Sequence, residues 1–265
     1  MDFAGKICVV TGAAQGIGRA LCLALHKAGA GHVVAVDLNA EKAAETAEMV
    51  GGTAFACDVG DQSQMDGMLE KIETDIGPID LMCSNAGILG PLDPDFSNIA
   101  FASTDAWNKA WAVNVMSHVH AARFLVPRMK TRGGGYFMHT ASAAGLLNQV
   151  GSAVYGVTKH AAVGFAEALA FGHKDDGIRV TVLCPQGVDT PMLRGSEDNP
   201  AKADGILSAE EVAKATLQAI RDERFLVLPH PEVAQYMQNK VDNYDKWVGG
   251  MAKLQRIYKA ANDKG

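Results

Sequence analysis

The chain has 265 residues, of which 48% are hydrophobic and 20% charged, and its formal net charge is −6. This length and apolar content suffice for one large core, so we expect one α/β domain over residues 1–265. The negative charge and the lack of a stripe of lysine or arginine argue against a nucleic-acid partner.

The N-terminus and the cysteines bear on the cellular compartment. Residues 1–6 do not begin a basic segment followed by a long apolar one, so we expect no signal peptide. The apolar runs are too short for a membrane span, and the five cysteines lack metal-ligand or disulfide spacing. We therefore expect a cytoplasmic protein with no membrane partner and no bound metal.

Short apolar runs alternate with longer amphipathic stretches along the chain. The predicted strands are 7–10, 32–36, 53–56, 80–83, 135–138, 179–183 and 225–228. The predicted helices are 17–29, 41–50, 62–75, 105–131, 153–173 and 208–222. Several strands are apolar throughout, which is typical of strands buried on both faces. The alternation predicts a doubly wound, mostly parallel seven-stranded sheet with helices on both faces.

A glycine-rich turn lies between the first predicted strand and the first predicted helix. It reads Thr11-Gly-Ala-Ala-Gln-Gly-Ile-Gly18, and its glycines allow a tight turn and close approach of a ligand to the backbone. The N-terminus of the following helix offers free N–H groups to a pyrophosphate. Glycines also mark ordinary turns, but this placement favours a dinucleotide site.

An acid, Asp37, ends the second predicted strand. A carboxylate at this point can bind the ribose hydroxyls of NAD and would repel the 2′-phosphate of NADP. Two charges 4 Å apart interact with about 4 kcal/mol at an effective dielectric of 20. No arginine or lysine directly precedes Gly16 or follows Asp37, so we predict NAD over NADP. The alternative is a helix cap or turn residue.

Tyr155 and Lys159 are four residues apart in a predicted helix, so their side chains share one face. A nearby cation favours the phenolate, and moving a tyrosine pKa from about 10 to 7 takes roughly 4 kcal/mol. With the hydroxyl of Ser142 brought near by the fold, the pair would form a proton-transfer device. The alternative is a half-exposed helix face that arises by chance.

Two segments depart from a minimal βαβ pattern. Residues 190–207 are rich in Gly, Asp, Asn and Ser, and we interpret them as a substrate flap. Residues 231–261 form a C-terminal helical extension with a near-heptad apolar stripe. That stripe consists of Met237, Val241, Tyr244, Val248, Met251 and Tyr258. It predicts either packing onto the parent domain, the more common outcome, or a seam for self-association.

Taken in this order, these motifs resemble the short-chain dehydrogenase/reductase family from about residue 5 to residue 192. The resemblance adds Asn114 as a helix-embedded catalytic asparagine and Ser142, thirteen residues before Tyr155, as the catalytic serine. It implies a Rossmann-type fold with NAD as cofactor. The cofactor contacts that it implies are Gly12, Gln15, Gly16, Ile17, Gly18, Asp37, Leu38, Asp58, Val59, Asn85, Ala86, Gly87, Tyr155, Lys159, Pro185, Val188 and Thr190.

Three positions and the chain end differ from the family pattern. Ser84 replaces the first asparagine of Asn-Asn-Ala-Gly, Ala141 replaces the first serine of a Ser-Ser pair, and Gln186 replaces a glycine after Pro185. The family's last strand and glycine-rich tail, which often form a tetramer interface, are absent after residue 192. The family usually dimerises through helices like 105–131 and 153–173, so the resemblance implies a homodimer or homotetramer.

The resemblance implies an NAD-dependent alcohol dehydrogenase or carbonyl reductase. Tyr155 would exchange a proton with the substrate oxygen as general base or acid. Lys159 would lower the pKa of Tyr155 and bind the nicotinamide ribose, while Ser142 would hold the substrate oxygen. Asn114 would place a water that links Lys159 to solvent.

The residues expected around the substrate are mostly apolar. They are Ile88, Leu89, Pro91, Leu146, Leu147, Gln149, Val150, Met192, Leu193 and Leu207. This lining predicts a bulky secondary alcohol or ketone of low polarity as the small-molecule substrate. Two alternatives are a non-catalytic NAD-sensing module and an epimerase or dehydratase on the same fold.

Overall fold

The computed structural model of the chain describes residues 1–93, 95–193 and 204–262. Its strands are β1 Ile7–Thr11, β2 His32–Asp37, β3 Thr53–Ala56, β4 Leu81–Ser84, β5 Gly135–Thr140, β6 Ile178–Leu183 and β7 Leu226–Val227. They form one parallel sheet in the order β3-β2-β1-β4-β5-β6-β7. The predicted doubly wound, seven-stranded parallel sheet is confirmed.

The helices cover both faces of this sheet. They are α1 Gly16–Lys27, α2 Ala40–Met49, α3 Gln62–Asp75, α4 Thr104–Trp111, α5 Ser117–Thr131, α6 Ala144–Leu147, α7 Ala153–Gly172, α8 Ala209–Arg221, α9 Glu232–Asp242 and α10 Tyr244–Asn262. One core lies between the sheet and α3, α5 and α7, and a second lies between the sheet and α1, α2 and α8. The central strands are therefore apolar on both faces.

The strand order reverses its direction between β1 and β4, and this reversal locates the functional site. The chain leaves β1 toward β2 and β3 on one side, and it continues from β4 toward β7 on the other. A crevice opens at such a point above the carboxyl ends of the strands, where parallel α/β sheets bind ligands. Thr11, Ser84 and Thr140 end the strands that border this crevice.

Two predicted helices have interruptions. Within 105–131, residues Ala112–Met116 form a π-helical turn between α4 and α5, where the hydroxyl of Ser117 donates to the carbonyl of Val113 at 2.6 Å. The extension 231–261 breaks at Asn243, whose backbone is extended (φ −155°, ψ 93°). Both interruptions replace regular i→i−4 hydrogen bonds, which hydrophobic periodicity does not reveal.

The C-terminal apolar stripe does not form one continuous buried face. Met237 packs near Val233 and Trp247 against a small cluster that includes Leu147. In contrast, Val241 is 77% exposed, and Tyr244 and Val248 are also exposed. The extension thus docks on the rest of the chain through α9 while part of the stripe faces solvent.

Within the described ranges, no helix is long and apolar enough to cross a membrane. The same ranges contain no group of three His, Cys, Asp or Glu side chains that could hold a metal ion. Most of the predicted flap, residues 194–203, lies outside the described residues.

A capping box begins α8. The Ser208 hydroxyl accepts from the Glu211 backbone N–H at 3.1 Å, and the Glu211 carboxylate accepts from the Ser208 N–H at 2.8 Å. We expect Ser208→Ala to lower the free energy of unfolding by about 1 kcal/mol, because it leaves a helix N–H without its acceptor. Urea unfolding measures this change. Ser208→Thr keeps a capping hydroxyl and should retain most of the stability, and an equal loss in both variants would contradict the prediction.

Candidate active site

A cleft of about 690 Å³ opens at the carboxyl ends of the strands. Each of the predicted cofactor contacts lines it, from Gly12 after β1 to Thr190 after β6. Ser142, Tyr155 and Lys159 line the same cleft, whereas Asn114 does not. The structure therefore brings together residues that are separated by more than a hundred positions in the chain.

The turn after β1 leaves no room for a side chain at its three glycine positions. Gly12 and Gly16 have left-handed backbone conformations (φ 68° and 54°), which favour glycine. A Cβ on Gly18 would lie 2.0 Å from the carbonyl oxygen of Gly12. The side chain of Gln15 does not cap α1, so no side-chain cap occupies the helix N-terminus. This turn fits a pyrophosphate, which helix N–H groups bind.

Asn85 ties the ends of three neighbouring strands together. Its amide N–H donates to the Thr11 carbonyl at 2.9 Å, and its amide oxygen accepts from the Thr140 hydroxyl at 2.9 Å. Its backbone N–H donates to the Thr11 hydroxyl at 3.0 Å. These bonds fix the floor of the cleft at the ends of β1, β4 and β5.

Asp37 lies on the cleft wall and also braces the glycine turn. One carboxylate oxygen accepts from the Ala14 N–H and the other from the Asn39 N–H, both at 3.0 Å. The nearby cation Arg19 is engaged elsewhere, with its guanidinium bonded to Glu45 at 3.1 Å and to a threonine on α2. The negative charge of Asp37 therefore has no direct cationic partner among the described residues.

Tyr155 and Lys159 occupy the first turns of α7, and both are buried. The Lys159 ammonium donates to the Thr140 carbonyl at 3.0 Å and lies 5.7 Å from the centre of the Tyr155 ring. Gly87 makes room for it, since a Cβ there would lie 3.1 Å from Nζ of Lys159. The half-exposed helix face considered as an alternative is thus wrong.

Burial, rather than attraction between the two groups, is the largest cause of the pKa shifts of Tyr155 and Lys159. It lowers the pKa of Lys159 to about 8. It raises the pKa of Tyr155 above its ordinary value of 10, although the neighbouring Ser142 hydroxyl acts in the opposite direction. The expected lowering of the Tyr155 pKa by Lys159 is therefore not found, because burial of the phenol disfavours the phenolate.

Ser142 follows β5 and lies beside the loop after β6. Its hydroxyl accepts from the Ala144 N–H at 3.1 Å and donates to the Pro185 carbonyl at 3.5 Å. The long second bond leaves this hydroxyl free to reorient toward a ligand oxygen. Ala141, in place of the usual serine, is buried and its N–H donates to the Leu183 carbonyl, so the substitution leaves the strand end intact.

Asn114 is fully buried in the π-helical turn. Its amide donates to the Ile88 carbonyl at 2.8 Å and to the Thr158 hydroxyl at 3.0 Å, and it accepts from the Ile88 N–H at 2.8 Å. Both side-chain N–H groups are therefore engaged in holding the segment after Gly87 against α7. The role of placing a water stays a prediction.

A polar cluster surrounds Gln186, the residue that replaces the family's glycine. Its amide donates to one oxygen of Asp204 at 2.9 Å, and Tyr236 of α9 donates to the other at 2.8 Å. Its backbone N–H donates to His230 at 3.2 Å. The sequence marked Gln186 as unusual but did not reveal its partners, which are distant in the chain.

The predicted substrate lining is present only in part. The residues that face the cleft are Ile88, Leu89, Gln149, Met192 and Leu193. The others do not line it: Leu147 packs near Val233, and Leu207 belongs to the second core. Lys109 of α4 also lines the cleft, which sequence reasoning missed because it is a lone charge on a helix.

The model of the family described as short chain dehydrogenase matches residues 6–201. The chain belongs to the short-chain dehydrogenase/reductase family. It is 36% identical to a 1-deoxy-11-beta-hydroxypentalenate dehydrogenase of Streptomyces exfoliatus, over 93% of this chain and 90% of the relative. It is 33% identical to 3beta-hydroxysteroid dehydrogenase 2 of Eggerthella lenta, over 76% of this chain and 79% of the relative.

A solved structure of the same family is also similar to this chain. The short-chain dehydrogenase/reductase from Burkholderia phymatum in complex with NAD has a TM-score of 0.83 and 25% identity, covering 92% of this chain and 96% of its own. The chain is therefore an oxidoreductase of the short-chain dehydrogenase/reductase family.

The cluster around Gln186 predicts a role for α9 in stability. We expect Tyr236→Phe to lower the free energy of unfolding by about 1 kcal/mol, because Asp204 loses a hydrogen bond. Tyr244→Phe is the matched control, since Tyr244 is exposed and should lose almost nothing. Urea unfolding of both variants tests this, and equal stabilities would contradict it.

Proposed function

We propose that the chain is an NAD-dependent oxidoreductase that interconverts a secondary alcohol and a ketone. The observation that carries the proposal is the convergence of Ser142, Tyr155 and Lys159 in one cleft with the glycine turn and Asp37. A sensor would need only the last two features. The three converging polar side chains therefore favour an enzyme over a non-catalytic NAD-binding module.

The residues of the cleft fit a nicotinamide dinucleotide. The turn at Gly12, Gly16 and Gly18 excludes side chains and presents a helix N-terminus to the pyrophosphate. Asp37 would bind the adenosine ribose, and Val188 and Thr190 would lie beside the carboxamide. When bound, the nicotinamide cofactor would supply hydride transfer to or from the carbinol carbon, and its oxidised form would bring a positive charge.

The protein's own groups orient the substrate and move its proton. Tyr155 would take the proton from the substrate hydroxyl during oxidation and return it during reduction. Ser142, which lines the same cleft as Tyr155, would hold the same oxygen. Lys159 would bind the ribose beside the nicotinamide and favour the phenolate whenever it is protonated.

The cleft and the relatives favour a bulky, apolar substrate. The substrate side carries Ile88, Leu89, Met192 and Leu193. Two similar proteins are named for a hydroxypentalenate and a hydroxysteroid, which are both polycyclic alcohols. We therefore propose a cyclic secondary alcohol of this size class.

Cytoplasmic location and assembly into a homodimer or homotetramer remain predictions. Light scattering would measure the oligomeric state.

Replacing the proton-transfer group tests the reaction. We expect Tyr155→Phe to lower kcat with a competent cyclic alcohol and NAD by roughly 10²-fold or more, because the phenol oxygen is lost. Steady-state absorbance of NADH measures this effect. Tyr136→Phe removes a buried hydroxyl that bonds Thr181 outside the cleft, so it should lower stability but not turnover. Near-normal turnover of Tyr155→Phe would overturn the assignment.

A panel of secondary alcohols separates the competing functions. Net formation of NADH supports a dehydrogenase. Binding of NAD without turnover of any alcohol would favour a sensor, and product formation without net NADH would favour an epimerase or dehydratase.

The charge of Asp37 accounts for the preference for NAD. We expect Asp37→Asn to strengthen NADPH binding by about tenfold, which corresponds to relief of roughly 1.4 kcal/mol of repulsion. The asparagine preserves the shape of the side chain and removes its charge, and it keeps an acceptor for one of the two N–H groups of Ala14 and Asn39 that Asp37 binds. Fluorescence titration with NADH and NADPH gives both dissociation constants. A lower dissociation constant for NADPH than for NADH in the unaltered protein would contradict the preference.

A further inference from the structure

Two fully buried histidines lie behind the active site. His118 is on α5 and His139 is on β5, and their Nδ1 atoms are 2.8 Å apart. The rings meet edge to face, with centroids 4.8 Å apart. His139 also stacks on Phe137 and meets Phe165 edge to face, each at 6.0 Å. Apolar rings thus fix the orientation of the imidazole pair.

The pair must consist of two neutral rings in opposite tautomers. Burial lowers the pKa of both histidines, that of His139 to about 3. One Nδ1 therefore carries a hydrogen and donates, while the other Nδ1 accepts. Neither Nε2 atom has a hydrogen-bond partner among the described residues. A buried N–H left unpaired on one ring is destabilising, so apolar packing alone would favour other residues here.

The two histidines connect the two parts of the structure that hold the catalytic groups. His118 lies one helical turn after Asn114, which clamps Ile88 and the segment after Gly87. His139 directly precedes Thr140, whose carbonyl accepts from Lys159. The hydrogen bond between the two imidazole rings therefore links the π-helical turn to the end of β5.

Asn114 and Lys159 meet at the same point of the cleft floor. A Cβ on Gly87 would lie 3.1 Å from Nζ of Lys159 and 3.3 Å from Oδ1 of Asn114. A displacement of the π-helical turn from β5 by a few tenths of an ångström would separate Asn114 from Lys159 beside Gly87. It would also change the burial of Lys159.

We propose that the hydrogen-bonded pair of His118 and His139 is a positioning element of the active site. It holds the π-helical turn that carries Asn114 at a fixed distance from the end of β5 that holds Lys159. The statement that the pair belongs to an active site rests on the proposed function. The link between the pair and the surroundings of Lys159 can be tested without any substrate.

The test is the protonation of Lys159 in the full-length protein without cofactor or substrate. Lysine labelled with ¹³C at Cε gives its titration midpoint by NMR, and Lys159→Arg assigns the signal. The titratable groups close enough to affect Lys159 are His118, Cys184 and Tyr155, and burial keeps all three neutral where Lys159 titrates, raising the pKa of Cys184 to about 12. The midpoint therefore reports the burial of Lys159.

Asparagine and leucine have the same shape, and they separate the hydrogen bond from packing. His139→Asn places an amide atom where Nδ1 was and keeps the bond, whereas His139→Leu removes it. We expect His139→Leu to raise the midpoint of Lys159 by about one unit, because water reaches the ammonium. We expect His139→Asn to leave the midpoint unchanged.

The double variant His118→Leu/His139→Leu removes both polar rings and leaves no unpaired imidazole, so it should fold even where His139→Leu does not. We expect it to raise the midpoint as well. A purely structural pair would leave the midpoint unchanged in the double variant, and this result would overturn the proposal. An equal rise in His139→Asn and His139→Leu would also overturn it. Absence of turnover with every alcohol would refute the proposed function and leave these midpoints unaffected.

Discussion

The buried ammonium of Lys159 is the group on which the site depends. Its hydrogen bond to the Thr140 carbonyl joins α7 to the end of β5, and burial lowers its pKa to about 8. The same burial raises the pKa of Tyr155. In the free protein burial therefore shifts both groups toward their neutral forms, although a pKa of about 8 leaves Lys159 mostly an ammonium at pH 7. In the proposed reaction, the positive charge of bound oxidised NAD would further favour the phenolate of Tyr155.

The remaining contacts keep this arrangement rigid. Asn85 bonds the ends of β1 and β5 from its place after β4, and the glycine turn packs directly against it. Asn114 fastens the segment after Gly87 to α7. Because side-chain amides make several directed bonds each, two asparagines join most of the elements around the cleft floor.

The sequence predicted the sheet and the cleft well but not the state of the groups inside it. Fully apolar strands and the glycine turn are local signals, so they predicted the seven strands and the position of the cleft that the predicted cofactor contacts line. The π-helical turn carries the long-range bonds of Asn114 to Ile88, and the break at Asn243 follows the docked helix α9. Neither contact leaves a signal in the local hydrophobic pattern. The pKa of Tyr155 rises because the phenol itself is buried, and helical spacing gives proximity but not burial.

The protonation of Tyr155 with and without cofactor tests the central claim most directly. Tyrosine labelled with ¹³C at Cζ reports the phenolate by NMR, and Tyr155→Phe assigns the signal. We predict a pKa above 10 in the free protein, as burial requires. Saturation with NAD should lower it toward neutrality, since a positive charge then faces the phenol. A pKa below 10 in the free protein, or no change on binding NAD, would contradict this description of the site.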